Sequence, residues 1–197
     1  MITIPEAIKI AYDSARTYKD TLQDTNLLIA FRDSTAIGFI QTLFYARHFM
    51  HLTGLRSRTL SAVGFYRSCL KGRLKADDIY FSGIGTTELK LRVLPHLLTM
   101  PYKSLMIGKS ADCGFRLYTD TFLGTTIGSI GFIPYKGRFY VPNTVLKEDV
   151  RKLTIKPGPL LLACSKKTTD EQYITVHRHS SVAPSDIPAE LQALIIK

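Results

Sequence analysis

The stretch TNLLIAFRDSTAIGFIQTLFYARHFMHLTGL, residues 25–55, contains two apolar runs followed by a segment with two histidines. The runs TNLLIAFRD and AIGFIQTLFYA flank the polar break RDST, and this pattern predicts a β-hairpin. The segment 45–55 follows directly from the second strand. His48 and His51 have three interpretations: metal ligands, catalytic groups or members of the core. Spaced three apart, they share a face on a helix but lie on opposite faces of an extended chain.

The N-terminal segment 3–22 has apolar residues at helical spacing, and Thr3 and Glu6 have the spacing of a capping box. Beyond residue 103 the period shortens and predicts strands between Gly, Pro, Asp and Lys-rich turns. The predicted strand segments are KSLMIGK, CGFRLYTDTF, IGSIGFIPYKGRFYVPN, PGPLLLACSKK and EQYITVHRH. A short closing helix is predicted from Ser185 onward.

Two more helices are predicted between the hairpin and these strands. The segment 57–72 has Ser57 as a candidate cap and Gly72 as a stop. The segment 86–100 contains Pro95, which we expect to kink the helix or end it early. Segregated helices and strands predict an α+β fold, with the N-terminal helices packed on a mostly antiparallel sheet. We expect one domain spanning 1–197.

The chain is strongly basic, with 26 Lys and Arg against 16 Asp and Glu, a net charge of +10 and a pI near 9.6. Such a balance indicates a polyanionic partner, although a soluble basic protein without one has the same composition. The three cysteines form no C-x-x-C pair, so we expect reduced thiols and a cytoplasmic location. No secretory signal is recognised, and the apolar runs are too short to span a membrane.

Metal and cofactor motifs are weak in this sequence. His48 and His51 lack an HExxH pattern, and no acidic residue lies between them, so no metal site is predicted. GIGTTELK (83–90) lacks the ending of a P-loop and the third glycine of a dinucleotide fingerprint, so no cofactor is predicted. GxSxG is absent, and Cys164 within an apolar run predicts a buried, inert thiol.

What remains is a concentration of basic groups, histidines and hydroxyls. Metal-independent RNA cleavage needs a base for the 2′-hydroxyl proton, cations for the charge on phosphorus and an acid for the leaving oxygen. Histidine suits the proton transfers because its pKa lies near neutral pH. For each cation, a solvated surface residue is the alternative, and for each histidine, a core residue bonded to a backbone carbonyl.

The segment FYARHFMHLTGL resembles the signature of a phage-associated nuclease-like family of the Barnase–EndoU–colicin–RelE (BECR) group. The resemblance continues through AVGFYRSCL, through ELKLRVLPHL, which contains Lys90, and through YVPNTVLKEDVRK (140–152). The order and spacing of these elements agree across about residues 28–167. The resemblance implies a BECR-like ribonuclease fold with toxin, phage or mobile-element associations.

Carried over by position, the resemblance implies catalytic roles for three residues. His51 is the candidate acid or base, Lys90 stabilises phosphate charge, and Ser165 donates a hydrogen bond to a phosphate oxygen. Candidate substrate-binding residues are Arg47, His48, Thr53, Arg56, Arg151 and Lys166. Asp149 is expected to cap or pair locally.

The leading hypothesis is a metal-independent endoribonuclease that cleaves RNA by 2′-hydroxyl attack and acts as a toxin or phage-conflict effector. RNA is the expected substrate, and an antitoxin or immunity protein is a candidate partner. A bacterial or phage-infected cytoplasm is the expected location, with no membrane partner. The alternative is a catalytically inactive module of the same fold that binds nucleic acid or protein. Group transfer from a nucleotide cofactor is a third hypothesis, which the glycine pattern does not favour.

Overall fold

The computed structural model describes residues 1–33, 36–82, 85–111 and 118–196 of the chain. Its helices are α1 (Ile4–Thr21), α2 (Ala46–Thr53), α3 (Ala62–Leu70), α4 (Thr86–Leu98), α5 (Val150–Leu153) and α6 (Ala189–Gln192). Its first five strands are β1 (Thr25–Asp33), β2 (Ala36–Phe44), β3 (Leu55–Arg56), β4 (Tyr80–Phe81) and β5 (Met106–Ser110). The later strands are β6 (Thr121–Gly124), β7 (Ser129–Tyr135), β8 (Phe139–Leu146), β9 (Thr154–Lys167) and β10 (Ile174–Arg178).

The large sheet has the order β1-β2-β8-β7-β6-β5-β9-β10, and β1 also pairs with β9. Seven strands therefore form a closed ring of hydrogen-bonded neighbours, to which β10 is added. Among these pairings only β2–β8 is parallel. The short strands β3 and β4 form a separate pair. The structure confirms the α+β class and the predicted hairpin, whose register runs from Thr25 opposite Phe44 to Asp33 opposite Ala36.

The main core lies between the sheet and helices α1 to α4. Its centre is aromatic: the Tyr18 ring lies 5.3 Å from that of Phe49, 5.7 Å from Tyr66 and 6.3 Å from Phe44. Full burial of such side chains contributes about 1.5–3 kcal/mol each to folding. Because Phe49 and Leu52 on α2 are fully buried here, α2 is fixed with its opposite face outward.

The helix boundaries confirm some predictions and correct others. The capping box forms at α1, where the Thr3 backbone N–H donates to Glu6 Oε2 at 2.7 Å. Ser57 as the cap of α3 is wrong: Ser61 holds that position, and its hydroxyl accepts from the Gly64 N–H at 3.1 Å. An early end at Pro95 is also wrong, because α4 continues to Leu98. Burial of the last turn of α4 in the core offsets the one backbone hydrogen bond that proline cannot donate.

The remaining differences lie toward the C-terminus and in the undescribed segments. The segment 127–143 divides into β7 and the start of β8 around the turn at Gly137. The closing helix, α6, begins after Pro188 rather than at Ser185. Residues 83–84 of the glycine motif and residues 112–117, with Cys113, lie outside the described residues. Among the helices described, none is long and apolar enough to cross a bilayer.

Candidate functional site

The histidine segment forms helix α2, which selects between the two geometries left open by the sequence. The helix begins after Tyr45 and ends at Gly54, whose φ of 71° is left-handed and favours glycine. His48 and His51 are three residues apart on the helix and therefore lie on the same side of it. Phe49 and Leu52 are buried, and His48, one turn before Leu52, is half-buried at the edge of the core, whereas His51 is exposed.

His51 is an exposed residue in the last turn of α2. Desolvation by the protein atoms around its ring is the main cause that lowers its pKa below the usual range, and the charges of Lys90 and Arg56 add to it. A hydrogen bond with the backbone of Asn143 acts in the opposite direction. The net effect favours a neutral imidazole at neutral pH, which is the protonation state of a general base.

Lys90 reaches the same place from α4. The Thr87 hydroxyl donates to the Gly54 carbonyl at 2.8 Å and so joins the first turn of α4 to the end of α2. Lys90 lies one turn further along α4 and donates from Nζ to Thr144 Oγ1 at 3.1 Å. A Cβ on Gly54 would lie 2.8 Å from Lys90 Cδ, so the lysine stem packs on the glycine backbone. Burial, assisted by the Arg56 charge, lowers the pKa of Lys90 to about 8.

A β-bulge in β8 supplies the third wall. Gly131 of β7 pairs with Thr144, whereas Phe132 pairs with Pro142, which leaves Asn143 without a partner in the register. Bulges commonly redirect side chains and backbone groups near functional sites. Here the bulge turns the Asn143 backbone toward His51 and the Thr144 hydroxyl toward Lys90. We call His51, Arg56, Lys90, Asn143 and Thr144 the His51–Lys90 site.

The charge of this site is positive. The ion pairs between described residues involve other cations, and none involves Arg47, Arg56 or Lys90. Uncompensated cations in a partly desolvated place attract and stabilise anions such as phosphate. Within the described part of the chain, no group of three or more His, Cys, Asp or Glu residues is arranged to hold a metal ion.

Thr53 and His48, two of the predicted substrate-binding residues, form hydrogen bonds with the backbone at the ends of α2. Thr53 is fully buried, and its hydroxyl donates to the Met50 carbonyl at 2.7 Å and accepts from the Leu55 N–H at 3.0 Å. His48 Nδ1 accepts from the Tyr45 N–H at 3.2 Å. Burial, followed by the charges of Arg47 and His51, lowers the pKa of His48 to about 4, so its imidazole stays neutral.

The structure does not bring Ser165, Lys166 or Arg151 to the His51–Lys90 site. Ser165 lies on β9 opposite Leu27, and β1 and β2 separate β9 from β8, a distance along the sheet of about 14 Å for three strand spacings. Lys166 Nζ donates to two backbone carbonyls of the following turn. Arg151 forms a bidentate pair with Asp149, which also caps α5 as expected. We therefore leave these three residues outside the site.

Sequence reasoning missed Asn143 and Thr144 as members of the site. A signal for them exists: Pro142 lies inside a predicted strand, and proline within a sheet is confined to edges and bulges. Because β8 lies between β2 and β7, it is not an edge strand, so a bulge is the remaining explanation. A bulge at Pro142 places the irregular backbone at the residues that follow it, Asn143 and Thr144.

Comparison with known proteins places this chain in a family. The model of one family, described as phage-Barnase-EndoU-ColicinE5/D-RelE like nuclease 4, matches residues 10–181. Neither the curated proteins nor the solved structures contain a significant match. All members of the His51–Lys90 site lie within the matched range. The chain therefore belongs to this phage-associated Barnase–EndoU–colicin–RelE-like nuclease family.

Proposed function

We propose that this protein is a metal-independent endoribonuclease that uses the His51–Lys90 site. The observation that carries the proposal is an imidazole, His51, whose pKa is lowered by desolvation and by the charge of Lys90, a partly buried ammonium group whose own pKa is about 8. Groups whose pKa values are set on either side of neutral pH are suited to act as a base and an acid in one reaction. The family assignment supports nuclease activity.

The proposed reaction takes its nucleophile from the substrate. Neutral His51 accepts the proton of a ribose 2′-hydroxyl, and the 2′-oxygen attacks the adjacent phosphorus. Lys90 and Arg56 stabilise the negative charge that develops on the non-bridging oxygens. The bond from phosphorus to the 5′-oxygen breaks, and the Lys90 ammonium gives its proton to that oxygen. The products are a 2′,3′-cyclic phosphate and a free 5′-hydroxyl.

RNA is the proposed substrate because this reaction requires a 2′-hydroxyl. The site consists of an imidazole, an ammonium group, a guanidinium group and a hydroxyl, which together supply a base, charge stabilisation and an acid. We also propose that the protein acts as a toxin or phage-conflict effector in the bacterial cytoplasm, held in check by an antitoxin or immunity protein. The phage association in the family description supports this setting.

The test uses a DNA oligonucleotide with one internal ribonucleotide, an all-RNA oligonucleotide and an all-DNA oligonucleotide, each incubated with purified protein in EDTA. We expect the DNA oligonucleotide with one ribonucleotide to be cut at a single place, directly after the ribonucleotide. Its product should carry a 2′,3′-cyclic phosphate. The all-DNA oligonucleotide should stay intact. Intact RNA under all conditions, or cleavage of all-DNA, would contradict the proposal.

A binding module without turnover is the second candidate. It is favoured by the neutral state of His48, which therefore does not supply a second, protonated imidazole as the acid of an acid–base pair. This candidate predicts binding of nucleic acid that weakens steeply with salt, without any product. The same three oligonucleotides distinguish the two functions, because any cyclic phosphate product excludes the silent module.

A further inference from the structure

A cluster of aromatic and cationic side chains lies at the start of α2, at the other end of the helix from His51. We call Tyr45, Arg47, Tyr135 and Lys136 the aromatic platform. The Arg47 guanidinium lies 4.7 Å from the Tyr45 ring centroid and 5.6 Å from that of Tyr135. The two rings lie 6.5 Å apart, edge to face, and Lys136 Nζ lies 5.7 Å from the Tyr135 ring.

The fold holds this platform in place from both sides. The Tyr18 hydroxyl in the core donates to the Tyr45 carbonyl at 2.9 Å, and the Tyr45 N–H donates to His48 Nδ1. Tyr135 ends β7 opposite Phe139, at the turn that leads into β8. Arg47 Nη2 donates to the Tyr135 hydroxyl at 3.3 Å and links the two sides, which are 88 residues apart in sequence. The platform is therefore a tertiary feature rather than a chance contact along one helix.

The platform carries positive charge without a carboxylate partner among the described residues. The ion pairs between described residues include neither Arg47 nor Lys136, and both of these side chains are exposed. The hydrogen bond from Arg47 is the main cause that lowers the pKa of Tyr135, with the Lys136 charge adding to it. Half-buried aromatic rings beside guanidinium and ammonium groups that form no ion pair with the described residues suit a ligand with a flat face and a nearby negative charge.

The position of the platform relative to His51 is set by α2. Tyr45 precedes the helix and His51 follows six residues later, a rise of about 9 Å along the axis at 1.5 Å per residue. His48 lies between them on the same face and carries no charge. A nucleotide chain with its phosphate at His51 and Lys90 would follow this face of α2 for about that rise to bring a neighbouring base to the platform.

We propose that the aromatic platform is a stacking subsite for an unpaired nucleobase that flanks the scissile phosphate. This inference rests on the proposed function and deepens it, because it assigns single-stranded RNA as the substrate class. Proteins that bind single strands stack unpaired bases on aromatic rings and on arginine planes. A base held in a duplex does not expose its face, so paired RNA is a poor substrate for this site.

The experiment measures binding with 2′-fluoro oligonucleotides, which lack the nucleophile and stay intact whether or not the protein is a nuclease. One fluorescent base, 2-aminopurine, is moved through the sequence, and a matching series carries one abasic position instead. In the wild-type protein we expect quenching confined to one position, and an abasic residue there should weaken binding about 5- to 150-fold, equivalent to ~1–3 kcal/mol of stacking.

Three variants complete the test. Tyr135→Ala should lose the quenching and should bind the abasic and complete oligonucleotides equally well. Tyr135→Phe keeps the ring and should retain both effects. Tyr12→Ala is the matched control, because Tyr12 also has an arginine over its ring, at 5.7 Å, but lies on α1; its binding should equal that of the wild type.

Equal quenching at every position, or the same abasic penalty in Tyr135→Ala as in the wild type, would overturn the platform proposal. These outcomes are separate from failure of the proposed function. Cleavage of RNA without position-specific quenching refutes only the platform. Position-specific quenching with no cleavage of natural RNA refutes only the ribonuclease activity.

Discussion

Two regions of the molecule contain lysines beside hydroxyl groups: the His51–Lys90 site and the end of β9. The ammonium groups in the two regions have different partners. Lys90 donates to the Thr144 hydroxyl, and burial lowers its pKa to about 8. Lys166 donates to the carbonyls of Asp170 and Glu171 at 2.8 and 2.9 Å and lies 5.0 Å from the Tyr173 ring. Lys166 therefore closes a turn, whereas the charge of Lys90 remains available to an incoming anion.

The difference teaches that a count of basic residues does not locate a phosphate site. At the end of β9, the fold supplies acceptors that satisfy each ammonium group; Lys167, for example, is within 3.5 Å of the Gln23 carbonyl. At the His51–Lys90 site, the fold desolvates a cation and offers it one neutral hydroxyl. Burying a charge without a full set of partners costs folding free energy, and such cost is typical of functional sites.

The largest expected effect is that of His51→Ala. Removal of a general base lowers kcat by about 10²–10⁴-fold. We expect this loss in kcat for RNA, with the affinity for 2′-fluoro RNA nearly unchanged because the cations remain. The control is His48→Ala, which removes an imidazole from the same helix face and should retain much more activity. Equal losses of kcat in the two variants would contradict the assignment of His51, rather than His48, as the general base.

Lys90→Met is expected to lower kcat by about 10²–10³-fold, as for loss of one group that stabilises transition-state charge. The same substitution is expected to raise the stability of the protein although it lowers kcat. The folded-state pKa of Lys90 is depressed, so the charged form opposes folding below about pH 8, and this cost disappears as the pH rises past the unfolded pKa. We expect Lys90→Met to unfold at higher urea concentration, with about 1–3 kcal/mol of added stability at pH 7.

Gly54→Ala tests whether the backbone of α2 positions Lys90. The left-handed φ of Gly54 and the 2.8 Å approach of Lys90 Cδ predict a loss of about 1–3 kcal/mol of stability and a fall in kcat of about 10- to 10²-fold. Gly72→Ala is the matched control, because Gly72 also has a left-handed φ, of 61°. Among the described residues, a Cβ on Gly72 would meet only the Tyr12 ring, at 3.7 Å. That variant should lose stability and keep its kcat. If both variants lose activity in proportion to stability, Gly54 has no special role.

The pH profile gives an effect of about tenfold per pH unit on each side of the optimum. His51 acts in its neutral form, so kcat/KM should rise with pH until its lowered pKa is passed. Lys90 acts in its charged form, so kcat/KM should fall above about pH 8. In Lys90→Met the alkaline fall should disappear. An alkaline limb that persists in this variant would assign it to another group.

Much of the fold could be predicted from sequence because its signals are local. The two apolar runs of β1 and β2 around a polar break, and the capping-box spacing of Thr3 and Glu6 in α1, each lie within a short window. For residues 45–55 the sequence left a helix and an extended segment open, and the family resemblance indicated His51 as the acid or base. The structure shows that this segment is helix α2 and that it ends at Gly54.

The rest of the site depends on pairings that local patterns do not contain. The family resemblance made Ser165 a catalytic candidate, but the pairing of β9 with β1 places it opposite Leu27. Tyr135 joins Tyr45 only because β7 and β8 follow β2 in the sheet order. A register is set by the whole sheet, and a shift of one residue would reverse the face of each side chain.

The smallest effect is expected for Lys166→Met, and its sign opposes that of Lys90→Met. Loss of the ammonium bonds to the Asp170 and Glu171 carbonyls should cost about 0.5–1.5 kcal/mol of stability, as measured by urea unfolding. The kcat for RNA should remain within about twofold of the wild type, because the group lies outside the His51–Lys90 site. Ser165→Ala provides the accompanying control and should also retain kcat. If either variant loses activity as Lys90→Met does, substrate contacts extend to β9 and the contrast between the two lysines fails.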